Sequence, residues 1–236
     1  SNTTASNNTA VGYQAGYSNT VGAYLTATGY FALKNSTADG NTAMGYNAAG
    51  ATTTGSYNTA QGFSALSANT TGARNVAVGN SALAANTTAS NNTAVGNASL
   101  DVNTTGAQNS ALGRNSLGAN TTGSYNTGLG QAALLANTSG QYNVAVGSDS
   151  LAANTTASNN TAVGYKSLYA STGADNTAVG WEAMVTNTTG TLNTGLGRRA
   201  LYGNTTGTSN TAVGNFANGA NTTGSYNVAV GQQSFN

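Results

Sequence analysis

The sequence predicts an all-β chain, a parallel β-solenoid (β-roll) of 14 coils with a 17-residue repeat. Three observations lead there. A glycine closing an Asn-Thr-Ala-Val-Gly-like segment falls at residues 12, 29, 45, 62, 79, 96, 113, 130, 147, 164, 180, 197, 214 and 231, at spacings of 17 or 16. A unit that short cannot hold two helices and their loops, since helical repeats run about 33–47 residues. The unit is also rich in Thr, Val, Asn and Gly, which disfavour helix and suit short strands and turns.

Fourteen copies of this unit, less two single-residue deletions, account for the whole chain, so residues 1–236 read as a single β-solenoid repeat array. With the glycine as position 12, residues 68–84 (ANTTGARNVAVGNSALA) form one complete unit. Position 2 is Asn in 12 copies, and position 3 is always Thr or Ser. Position 5 is always Gly or Ala, and position 8 is Asn in 13 copies, with Leu25 as the exception. Position 10 is always Ala or Gly, position 15 always Ala or Ser, and position 16 is Leu in nine copies. A disordered polar tract would have a similar composition but no use for such strict phase. Residues 83–96 and 151–164 share LAANTTASNNTAVG at an offset of four units, as duplication of four-coil blocks would leave.

Each unit divides into two short strands and two turns. Thr-Thr-Gly at positions 3–5 and the glycine at position 12 fall where the chain must turn. The first strand is expected over positions 8–12. Strand alternation then puts position 9, mostly Thr, and position 11, an apolar residue in 12 copies, on the core face. Position 10 faces the other way, and its restriction to Ala or Gly demands a close neighbour. That neighbour is the opposite sheet of the same coil or an adjacent chain, and the thin core favours the chain. The second strand is expected over positions 14–17, with the position-16 leucine (Leu83 in this copy) entering the core. Two large apolar side chains per coil make a thin core that only stacking renders continuous. Stacking at about 4.8 Å per coil makes a rod about 67 Å long. It also aligns a structural column of asparagines at position 8: Asn8, Asn41, Asn58, Asn75, Asn92, Asn109, Asn126, Asn143, Asn160, Asn176, Asn193, Asn210 and Asn227. Their amides can hydrogen-bond along the column and satisfy turn backbone. Because residues 1–17 and 220–236 still follow the repeat rather than a cap, both ends are expected to continue, covalently or by stacking of subunits.

Composition narrows the function. Six bases and five acids are scattered along the chain, which argues against a nucleic-acid interface. With no Cys and no His there is no disulfide framework, thiolate zinc site or histidine acid–base catalyst. No apolar run is long enough to cross a bilayer, so no membrane span is expected. Of the acids, only Asp149 and Glu182 share a repeat position, two coils apart, and no cofactor, metal or catalytic residue set emerges. A non-enzymatic structural rod is the reading these residues support.

Two residue sets carry binding or modification chemistry. Position 13 holds Tyr13, Tyr30, Tyr46 and Phe63 in consecutive coils, then Tyr165 and Trp181. Exposed aromatic rows bind surface glycans or a partner chain, although ring-on-ring support of the coil edge is the plainer account. Asn-x-Ser/Thr sequons fall at position 2 as Asn2, Asn35, Asn69, Asn86, Asn103, Asn120, Asn137, Asn154, Asn187, Asn204 and Asn221, and elsewhere as Asn7, Asn91, Asn97 and Asn159. They are either glycosylation acceptors or turn chemistry repeated in each coil, and turn chemistry is the favoured account. An ice- or surface-binding solenoid using Thr columns at positions 3 and 4 is one alternative function, and a glycan-coated passive fibril is another.

The segments NVAVGNSAL (75–83), NTAVGYKSL (160–168) and NVAVGQQSF (227–235) resemble the Ser-Val-Ala-Ile-Gly-x-x-Ser/Ala repeat of trimeric autotransporter adhesin heads. Similar arrays occur in long bacterial surface and phage-fibre-like proteins. The resemblance covers all 14 units, although the adhesin repeat is shorter. It implies a left-handed parallel β-roll, three chains side by side, and an extracellular, cell-surface or virion fibre with a structural or adhesive role. The partner it implies is the chain itself, laterally and end to end.

Overall fold

The computed structural model describes residues 4–235. They fall into two compact units, Ser1–Thr122 and Gly123–Asn236, and each is a parallel β-solenoid. Every coil contributes one three-residue strand. The first unit holds β1 (Thr9–Val11), β2 (Thr26–Thr28), β3 (Thr42–Met44), β4 (Thr59–Gln61), β5 (Val76–Val78), β6 (Thr93–Val95) and β7 (Ser110–Leu112). The second holds β8 (Thr127–Leu129), β9 (Val144–Val146), β10 (Thr161–Val163), β11 (Thr177–Val179), β12 (Thr194–Leu196), β13 (Thr211–Val213) and β14 (Val228–Val230). Within each unit a strand pairs in parallel with the next, one repeat on: Val76 lies against Thr93, Ala77 against Ala94 and Val78 against Val95. No described residue is helical.

The strand faces are the reverse of the expectation. Position 10 points inward: Ala77, Ala94 and Ala145 are fully buried, whereas positions 9 and 11 face outward. The reason is steric. A Cβ placed on Gly195 would lie 3.0 Å from Cγ of Met184, the position-16 residue of the preceding coil. The opposite wall of the same chain therefore excludes size at position 10, and that position gives no argument for an adjacent chain. Position 11, apolar in 12 copies, is left on the surface.

The opposite wall is not a second strand. Positions 13–17 run as consecutive turns, with positive φ at position 14 (Ser81, 55°) and position 16 (Leu83, 51°). In a strand, adjacent residues point to opposite faces. Here both Ala82 and Leu83, positions 15 and 16, are buried, which only a turning backbone allows. The amides divide the work between them. Those of Ala82, Ala84 and Asn86 close turns within the coil onto Gly79, Ser81 and Leu83. Those of Ser81, Leu83 and Ala85 leave for the neighbouring coils, to Phe63, Ser99 and Asp101 at 2.9–3.0 Å. This wall is thus hydrogen-bonded coil to coil without being a sheet.

Ten coils consequently bury one large apolar side chain at position 16, nine leucines and Met184, each contributing about 1.5–3 kcal/mol. Asparagine ladders fill the rest. At position 8, Asn75 Nδ2 donates to the Ala89 carbonyl (2.9 Å), and its Oδ1 accepts from the Asn92 backbone N–H (3.0 Å). At position 2, Asn86 Nδ2 donates to Asn69 Oδ1 (2.9 Å) and to the Ala89 carbonyl (3.0 Å). Where a coil is one residue shorter, the ladder changes. Ser36 and Ser171, both fully buried, occupy the position-2 slot, and Asn35 is exposed instead. Beside Ser171, Asn154 Oδ1 and Asn160 Nδ2 are left without partners. Glycine at position 12 is required by contact as well as by φ. Gly79 sits at φ 134°, and a Cβ there would lie 2.5 Å from the Gly96 carbonyl oxygen.

Candidate functional site

With the ladders and position 16 turned inward, surface chemistry falls to positions 4, 7, 9, 11, 13, 14 and 17. Position 13 follows the glycine turn, so its side chains project outward in register. Tyr13, Tyr30, Tyr46 and Phe63 stack as a row in the first unit, with centroids 5.1, 5.3 and 5.0 Å apart. All four are exposed. Phe31, at position 14, tilts against Tyr30 at 4.1 Å and carries the Lys34 ammonium 4.2 Å over its ring. Tyr165 and Trp181 form a separate pair in the second unit, with centroids 6.5 Å apart.

A second aromatic set lies at position 7, which sequence reasoning missed. Tyr24 and Tyr57 in the first unit, and Tyr125, Tyr142 and Tyr226 in the second, are exposed and adopt positive φ. Tyr125 and Tyr142 stack at 5.0 Å. Sorting the tyrosines by repeat position would have found them.

Around Tyr165 and Trp181 the second unit concentrates its charge. Position 14 carries Asp149, Lys166, Glu182 and Arg199 in four successive coils, so the signs alternate along the column. Arg199 Nε donates to Glu182 Oε2 at 2.8 Å, and its guanidinium stands 4.6 Å from the Trp181 ring. Lys166 lies 5.3 Å from the rings of both Tyr165 and Tyr169. Hydrogen bonding with Tyr165 pushes the Lys166 pKa above its usual value, and Asp149 adds to the shift. Arg198, at position 13, rests its guanidinium 4.9 Å from the same Trp181 ring and is exposed.

The sequon asparagines at position 2 are the main correction at the surface. Asn69, Asn86, Asn103, Asn120, Asn137, Asn154, Asn187 and Asn204 are fully buried. The Nδ2 atoms that would carry sugar instead donate within the core, as in Asn103, Asn154, Asn187 and Asn204. Asn221 is half-buried with the same two donations, to Asn204 Oδ1 and the Gly224 carbonyl. The folded chain therefore closes these sites to glycosylation, while Asn2 lies outside the described residues. Exposed sequons are Asn7, Asn35, Asn91, Asn97 and Asn159.

Position-3 hydroxyls are likewise committed. Thr70 Oγ1 donates to the Thr87 carbonyl at 3.0 Å, and Thr104, Thr188 and Thr205 repeat the bond. Among the described residues there is no group of three or more His, Cys, Asp or Glu that could hold a metal ion. Nor, among them, is any helix long and apolar enough to cross a membrane. Comparison of the chain with protein-family models, with curated proteins and with solved structures finds no match.

Proposed function

We propose that the chain is a non-enzymatic structural repeat array of an extracellular fibre or surface adhesin, which associates sideways with copies of itself. The observation that carries this reading is the outward ladder face of the second unit. There position 11 is Val or Leu in every coil from Leu129 to Val230, and the flanking position 9 is Thr or Val. Val179, Val213 and Val230 are 38%, 37% and 69% exposed. A charge-free apolar strip one side chain wide and seven coils long costs solvation free energy unless something covers it.

Its size sets the kind of association. Seven coils at about 4.8 Å and three strand residues at about 3.3 Å give a face of about 34 by 10 Å. Two such faces bury about 700 Å², below the roughly 1,000 Å² of a stable specific interface, so the strip by itself fits a weak, concentration-dependent association between copies. The extracellular placement rests on the adhesin-head resemblance alone. The test is light scattering on the purified chain over a range of concentrations, alongside Val163→Glu combined with Leu196→Glu. The reading expects the parent to be multimeric and the variant to be a folded monomer. A parent that stays monomeric at high concentration would defeat it.

The ice-binding alternative keeps two supports. Hydroxyls at position 3 are committed to the next coil, but position 4 stays exposed, as at Thr71, Thr88 and Thr105, and the ladder face adds an in-register Thr column at position 9 beside Val or Leu at position 11. Ice-growth inhibition by the monomeric fraction, lost in the same double variant, would establish it.

A further inference from the structure

We infer that Tyr125 and Tyr142 form a site of oxidative coupling, where a dityrosine bond staples two neighbouring coils of the second unit. Both tyrosines hold position 7, each two residues ahead of Thr127 and Val144, which are register partners in β8 and β9. At φ 61° and 57° the two backbones turn alike, so both rings leave their coils in the same direction. The next residues are locked together. The Asn143 backbone N–H donates to Asn126 Oδ1 at 3.0 Å, and Asn143 Nδ2 donates to the same oxygen at 3.2 Å. The Tyr142 N–H donates to the Ser124 carbonyl at 3.3 Å. The rings are thereby held face to face, with centroids 5.0 Å apart and planes within 12°, yet the residues are 47% and 55% exposed.

Two phenols side by side and open to solvent are placed for a reaction peculiar to tyrosine. A one-electron oxidant, here hydrogen peroxide consumed through a haem peroxidase, takes an electron and a proton from each phenol. The two phenoxyl radicals join through ring carbons ortho to the oxygens, forming one C–C bond. Each joined carbon releases its hydrogen as a proton and each oxygen regains one. For each staple one peroxide becomes two waters and the chain loses two hydrogen atoms. Holding the radicals together makes the joining step effectively unimolecular, which favours it over encounters between chains. Exposure alone does not set this up. Tyr226 also holds position 7 and is 82% exposed, but the column residue one coil back is Ser209. Tyr13, Tyr30 and Tyr46 of the first unit repeat the stacked arrangement and are expected to couple likewise. The site does not depend on lateral assembly, since it lies on position 7 rather than on ladder positions 9 and 11.

The experiment treats the dilute purified chain with hydrogen peroxide and a haem peroxidase, isolates the single-chain fraction and weighs its tryptic peptides. Arg114 and Lys166 are consecutive trypsin sites, so residues 115–166 carry both tyrosines on one peptide, with Tyr165 as its third tyrosine. The inference expects this peptide to be two hydrogen atoms lighter and to show dityrosine fluorescence. Tyr142→Phe should abolish both signs, and Tyr165→Phe should keep both. Residues 200–236, which hold Tyr202 and Tyr226, should keep the parent mass. Coupling should also slow exchange of the Asn143 amide about a hundredfold, the effect of closing a loop of about 17 residues. An unchanged mass for residues 115–166, a lighter peptide in Tyr142→Phe, coupling only between separate chains, or an unaltered Asn143 amide would each overturn it. Circular dichroism of Tyr142→Phe, expected to match the parent, separates loss of the site from loss of the fold.

Discussion

Replacing one asparagine in the position-8 column, Asn75→Ala, should cost more than its size suggests. The Asn75 side chain is fully buried and bonds only upward, to Ala89 and Asn92. Truncation leaves the Asn92 amide without its acceptor in a dry interior, at about 1–3 kcal/mol. The Ala89 carbonyl keeps the bond from Asn86, so its loss is one ordinary hydrogen bond of about 1 kcal/mol. The expected destabilisation is therefore about 2–4 kcal/mol. Asn97→Ala, at exposed position 13, should stay within about 0.5 kcal/mol. Stacked repeats need not unfold in one step, so the local readout is hydrogen exchange of the Asn92 amide, supported by the urea midpoint. If Asn75→Ala and Asn97→Ala behave alike, the ladder does not hold the coils together and the reasoning fails.

Three further changes test other parts of the account. Gly79→Ala should cost about 3 kcal/mol or more, because both φ and the Gly96 carbonyl forbid the methyl group; thermal melting checks it. Asn218→Leu should raise stability by about 1–3 kcal/mol: Asn218 fills the position-16 slot fully buried, with neither side-chain atom hydrogen-bonded. An unchanged or lower denaturation midpoint would contradict that. Burial raises the Asp101 carboxyl pKa, against the pull of backbone hydrogen bonds at Asp101 and Val102, so the folded chain holds this proton more tightly than the unfolded one. Stability should therefore fall as pH rises from the unfolded carboxylate value through the raised folded one, and Asp101→Asn should flatten that slope.

The repeat was legible because its period needs only the glycines to be seen, and the Asn positions because nothing but a ladder explains one amide per coil. The faces were misread for an identifiable reason. Alternation fixes that positions 9 and 11 oppose position 10, but not which side is the core. Hydrophobicity pointed to position 11, yet Thr28 and Gln61 occupy that position and no polar residue occupies position 10. Tolerance of polarity was the better guide to exposure. Similarly, Ala/Ser at position 15 next to Leu at position 16 restricts two adjacent residues, which a strand cannot bury together. The Trp181 cluster was half visible. Tyr165 and Trp181 stood out as aromatics, but Arg198 and Arg199 gained meaning only when consecutive coils came into contact.

The central claim is that each 17-residue unit is one coil, in parallel register with the next. Because the chain has no cysteine, two can be introduced and spin-labelled without interference. Thr93 and Ser110 are exposed partners on adjacent strands, one full repeat apart. Thr93 and Thr105, also exposed, are nearer in sequence but occupy positions 9 and 4 of the repeat. Continuous-wave electron paramagnetic resonance should then show strong spin–spin broadening for the 93/110 pair, whose backbones lie about 4.8 Å apart, and little for 93/105. Broadening that follows sequence distance instead, or is missing from both pairs, would contradict the solenoid.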